Sequence, residues 1–102
     1  MRLTEKETKI ISTTFCQHFG KSDHLWLFGS RVDPHKKGGD IDLYIETQIK
    51  DSHVAVNKKL QFVTDLWLQL GEQKIDVILN LVSQNHHLPI YDVAKTEGIL
   101  LV

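Results

Sequence analysis

Asp40-Ile41-Asp42 is the segment of this chain best suited to chemistry. Residues two apart on a strand lie about 6.6–6.8 Å apart and point the same way, so both carboxylates can converge on a cation above a sheet. Aspartate is depleted from strands, and two like charges on one face repel unless something positive sits between them. A divalent metal removes that liability, and magnesium suits carboxylate oxygens while keeping substrate phosphates as its remaining ligands. Taken alone, an Asp-x-Asp is most simply a solvated strand face. Two further features make the pattern specific. Gly29-Ser30 closes the preceding apolar run; glycine permits close backbone approach there, and the following amides can meet an anion at a helix start. Asp76 adds a third carboxylate, again opposite the apolar residues of its own segment. If the three segments are neighbours, three carboxylates and one phosphate-binding turn share a surface.

The elements that must position these residues are legible from periodicity. Thr4-Glu5-Lys6-Glu7 is a helix capping box, after which Ile10, Ile11, Phe15, His18 and Phe19 recur at helical spacing until Gly20. Leu25-Trp26-Leu27-Phe28 reads as a buried strand, and Val32 to Gly39 holds a loop after a brief helical turn at Ser30. From Asp40 to Ile45 the chain alternates, with Ile41, Leu43 and Ile45 on one face and Asp40, Asp42 and Tyr44 on the other. A second helix starts at Asp51 or Ser52, carries the stripe Val56, Leu60, Val63, Trp67 and Leu70, and stops at Gly71. Lys74 to Leu79 alternates again; Pro89 opens a short helix to Glu97, Gly98 stops it, and Ile99 to Val102 forms a last strand. The order α-β-β-α-β-α-β predicts an α+β, two-layer domain: a small mixed sheet with helices on one face, leaving the carboxylate face bare.

Composition narrows the function classes. The 102 residues form one domain, residues 1–102, without repeat or linker. Twelve basic and thirteen acidic residues give a net charge of -1, which removes the bulk attraction that non-specific DNA binders rely on, so no nucleic-acid partner is expected for the chain on its own. Cys16 is the only cysteine, so no intrachain disulfide forms and a reducing compartment is expected. The opening MRLTEKETK has no apolar signal core, and no window approaches a membrane span. A cytoplasmic domain without a membrane partner is the expectation.

Gly29-Ser30, nine residues, then Asp40-Ile41-Asp42-Leu43, then Lys74-Ile75-Asp76-Val77-Ile78 resembles the nucleotidyltransferase superfamily of the DNA polymerase β palm type. The short length and the segment Tyr91 to Leu100 are similar to its minimal nucleotidyltransferase (MNT) branch. The resemblance implies a palm-like fold and transfer of a nucleotide from ATP. By it, Asp40, Asp42 and Asp76 are catalytic and bind two magnesium ions, with Asp76 helping to deprotonate the attacking hydroxyl. Gly29, Ser30 and Arg31 hold the nucleotide. It further implies the antitoxin of a type VII HEPN/MNT toxin–antitoxin pair, a hetero-oligomer in which a tyrosine of the HEPN RNase toxin is adenylylated. The chain departs from the family at Val32-Asp33-Pro34, where many members carry a second arginine and a glycine. Asp33 repels a triphosphate; His35, Lys36 and Lys37 compensate only if the loop folds inward.

Three rivals stand beside this expectation. A non-catalytic binding module would keep the fold and neutralise its partner sterically. A small-molecule nucleotidyltransferase, as among antibiotic-modifying enzymes, lacks here the extra helical domain that closes its substrate site. A DNA-binding repressor lacks a basic stripe. Among residues set aside, His86-His87 read as surface histidines, Cys16 as inert packing, and Trp26 and Trp67 as core. Tyr44 shares the carboxylate face, where it either touches the nucleotide or caps the sheet edge.

Overall fold

The computed structural model describes residues 3–29, 40–71 and 73–102. Helix α1 (Glu5–His18) begins at the expected capping box: Thr4 Oγ1 accepts from the Glu7 amide, and the Glu7 carboxylate accepts from the Thr4 amide. Together these satisfy two of the donors that a helix start leaves orphaned. Strand β1 (His24–Phe28) and strand β2 (Ile41–Thr47) pair antiparallel. Helix α2 (Ser52–Leu70) is capped by Asp51, whose Oδ1 accepts from the His53 and Val54 amides, and it ends at Gly71 with φ 85°. Strand β3 (Ile75–Leu81) runs parallel to β2 and two residues beyond the expected Leu79. Helix α3 (Pro89–Glu97) matches its expected bounds, and β4 (Ile99–Leu100) pairs antiparallel with β1. The result is an α+β domain with a mixed four-stranded sheet in the order β3-β2-β1-β4.

Alternation along the strands splits the packing into two clusters. On one face, Leu25, Leu27, Ile41, Leu43 and Ile45 pack with Ile11 and Phe15 of α1 and Phe62 and Leu66 of α2. Phe15 stacks on Phe19 at 4.9 Å between centroids, and both meet the Phe62 ring edge-on. Buried Asp23 pins the turn before β1, accepting from the Gly20 amide at 3.0 Å and the Gln48 amide at 2.7 Å.

The opposite face is not bare. Helix α3 lies across it, burying Tyr91 and Ala94 against Trp26 and Tyr44. The expectation of helices on one face alone is therefore corrected. Trp26 and Tyr44 are cross-strand partners whose apolar rings need cover, and an amphipathic turn with Tyr91 and Ala94 three apart supplies it. The stripe expected on α2 is corrected as well. Of the expected residues, Val63 and Leu70 pack against the core beside Ala55, Phe62 and Leu66, whereas Val56, Leu60 and Trp67 lie on an exposed flank. Cys16 is exposed, not packed.

Candidate functional site

Parallel pairing of β2 with β3 sets Asp42 directly opposite Asp76, because Ile41 is in register with Ile75. Directly opposed residues on neighbouring strands share a face, so both carboxylates rise on the side away from α1 and α2. Asp40 lies just before β2, and alternation carries it to the same side; the Ile41 amide donates to the Lys74 carbonyl at 2.9 Å and begins the ladder there. Asp76 is half-exposed, not turned into the core. All three carboxylates sit at one end of the face, and α3 covers the aromatic residues farther along it.

Asp42 is the constrained member. It is half-buried, and its carboxyl is held above the ordinary 3.8 chiefly by desolvation, then by repulsion from Asp76 and Asp40, with Lys74 opposing. Gly29, one residue past β1, lies against it. A Cβ built at Gly29 would fall 2.2 Å from Asp42 Oδ2, and the backbone there has φ 77°. Glycine is thus required twice over, by the close approach and by the left-handed backbone.

Lys74 is the residue that sequence reasoning passed over. Its Nζ lies 3.7 Å from Asp40 Oδ2 and 3.9 Å from Asp76 Oδ2, so the cation between these two carboxylates is an ammonium. The signal was present, since Lys74 and Asp76 are two apart and alternate onto one face. Both contacts are long and solvent-exposed, so each contributes at most about 1 kcal/mol. Among the described residues, no three acidic, histidine or cysteine side chains are gathered closely enough to hold a metal ion. The donor set nonetheless suits a hard cation: carboxylate oxygens on one face, a half-buried Asp42 in need of counter-charge, and a glycine keeping side-chain bulk away from it. Residue type and register fit magnesium, while Asp40 and Asp76 reach Lys74 instead.

Ser30 and Arg31, with Asp33, His35, Lys36 and Lys37, lie outside the described residues. Tyr44 is fully buried; its hydroxyl donates to Glu46 Oε2 at 2.8 Å and accepts from Asn80 Nδ2 at 3.0 Å. Burial pushes its phenol well above the ordinary range, which keeps it neutral. It supports the sheet beneath α3 and has no open side for a nucleotide. His86 is exposed, and His87 contacts Asp92 at 2.8 Å on the surface. An open cleft of about 530 Å³, lined by residues including His18, Asp23 and Lys58, shares no residue with the carboxylate group. Among the described residues, no helix is long and apolar enough to cross a membrane. The chain matches no model of a known protein family and no curated protein.

Proposed function

We propose that this chain is a magnesium- and ATP-dependent nucleotidyltransferase of the minimal, polymerase β palm-like type. As the antitoxin of a HEPN/MNT pair, it would adenylylate a tyrosine hydroxyl of its HEPN toxin. The observation that carries this reading is the Asp42–Asp76 register, with Asp40 on the same side and Gly29 against Asp42 at the end of the adjoining strand. Asp40, Asp42 and Asp76 would hold the metal, which supplies charge neutralisation to the triphosphate and the departing pyrophosphate. Gly29, Ser30 and Arg31 would hold the β- and γ-phosphates. Asp76, the more exposed member of the opposed pair, would take the acceptor's proton. The hydroxyl oxygen then bonds the α-phosphorus as the α–β bridging P–O bond breaks. Positioning and charge account for most of such catalysis. A partner protein would supply the acceptor hydroxyl.

Incubation with labelled ATP, magnesium and a HEPN protein tests this. Label should pass to the HEPN protein, and Asp40→Ala/Asp42→Ala should abolish the transfer; transfer that persists in that variant refutes the assignment.

One observation favours a second reading, a non-catalytic module that occludes its partner. Lys74 already spans Asp40 and Asp76, offsetting their repulsion without a metal. Calorimetry separates the two, because an occluding module shows no magnesium-dependent heat with ATP.

A further inference from the structure

Strand β3 is the edge of the sheet, and among the described residues no strand pairs with its outer side. A seven-residue edge with one charged side chain is a template for pairing unless something covers it. Beside it, α2 exposes Val56 (43%), Leu60 (55%) and Trp67 (46%), with Val63 half-buried between them. Positions 56, 60, 63 and 67 form one stripe, since helical residues three and four apart share a face. The stripe lies on the flank of α2 away from α1, because α1 is met by Asp65 and Gln69, roughly opposite around the helix. An apolar helix flank and the outer edge of an apolar strand, without a partner strand among the described residues, therefore run side by side along the same margin of the domain.

We propose that a second copy of this chain covers that margin, in a two-fold dimer whose β3 strands pair antiparallel about Ile78. The sequence of β3 is nearly palindromic about this residue. Pairing there sets Ile75 opposite Leu81, Val77 opposite Leu79, and Asp76 opposite Asn80. Every apolar residue then meets an apolar one, and the lone carboxylate meets a neutral side chain, not a second charge. Centring the pair on Asp76 instead would oppose two like charges, and centring it on Val77 would oppose Asp76 to Ile78. The position of α2 agrees with this arrangement. Helix α2 packs in one cluster with β2 and β3 residues, so joining two β3 edges about a two-fold axis brings both α2 helices to the same face of the extended sheet. Their exposed stripes, each on the flank away from its own α1, would then face each other across the axis. The dimer does not depend on the proposed activity.

Light scattering or sedimentation of the full chain, over a concentration series, should report a species of twice 11.7 kDa. Leu60→Glu should return it to the monomer with an unchanged circular dichroism spectrum, because Leu60 is more than half exposed. In a Cys16→Ser background, Ile78→Cys should cross-link across the axis on oxidation, whereas Leu68→Cys, on another side of α2, should not. A monomer throughout the series would overturn the proposal. A dimer that survives Leu60→Glu, or one in which Ile78→Cys stays unlinked, would overturn it equally.

Discussion

Asp42 and Asp76 stand side by side on parallel strands, and the cost of that placement falls on Asp42. Asp76 is half-exposed and solvated, while Asp42 is half-buried with Gly29 against its carboxylate. Strand register brings the charges together, and unequal burial decides which of them is uncomfortable. A site that concentrates unfavourable charge on one buried member is primed to take up a cation or a proton.

Asp42→Asn should therefore stabilise the free protein at neutral pH. The folded carboxyl titrates above its ordinary 3.8, so ionising it costs folding energy as pH rises from that value through the folded one. Below pH 3.8 both side chains are neutral, and the advantage of asparagine should vanish. Thermal melts of the two proteins on both sides of this window check the sign. If magnesium uses the site, added magnesium should raise the melting temperature of the wild type more than that of the variant.

Much of the architecture was legible because its signals are local. The Thr4 capping box, Gly71 after α2, Pro89 at the start of α3 and strict alternation in β2 each act within a few residues. Faces were harder. Alternation puts Tyr44 on the carboxylate face and says which side it points to, not what lies above it. The cover is Tyr91 and Ala94, half the chain away in sequence, and two aromatic residues on a supposedly solvated face were the available clue. On α2 the apolar residues span too much of the helix to define one stripe. Phe62 and Leu66 won the core through contacts with α1 and the sheet, leaving Leu60 and Trp67 outside. In the candidate site, spacing puts Asp40, Asp42 and Asp76 on one face, as the register has them, whereas Lys74 escapes notice because an exposed lysine is usually unremarkable.

Tyr44→Phe separates support from ligand contact. The change removes the hydroxyl between Glu46 and Asn80, leaving the buried Asn80 amide without that acceptor. A lost partner of this kind costs about 1–3 kcal/mol. Denaturant titration should show that loss, while the KM for ATP in an adenylylation assay should remain within experimental error. A raised KM with unchanged stability would mean that Tyr44 meets the nucleotide.

Gly29→Ala should be among the more damaging small substitutions. A non-glycine residue in a left-handed conformation costs about 1–2 kcal/mol, and here the new methyl also runs into Asp42 Oδ2. The carboxylate must turn away or the end of β1 must shift. Stability should fall by roughly 1–3 kcal/mol with the sheet retained. Any magnesium-dependent heat should fall by more than that destabilisation explains, since the displaced group is Asp42 itself. Calorimetry well below the melting temperature of the variant distinguishes the two effects.

Lys74→Met tests whether the ammonium and a divalent cation compete for the same carboxylates. Methionine keeps the length of the apolar stem and removes only the charge that spans Asp40 and Asp76. The free protein should lose no more than about 1 kcal/mol, because both pairs are exposed and long. The Asp42 carboxyl should move further upward, since Lys74 is the group that lowers it. That rise steepens the loss of stability as pH climbs through the carboxylate range, which melts across that range would register. Magnesium should then bind more tightly to the variant, with a larger rise in melting temperature than in the wild type. If Lys74 is instead the permanent counter-charge of a module that takes up no metal, magnesium will leave both melting curves where they were. The same pair of melts therefore decides between the catalytic and the occluding reading of these three aspartates.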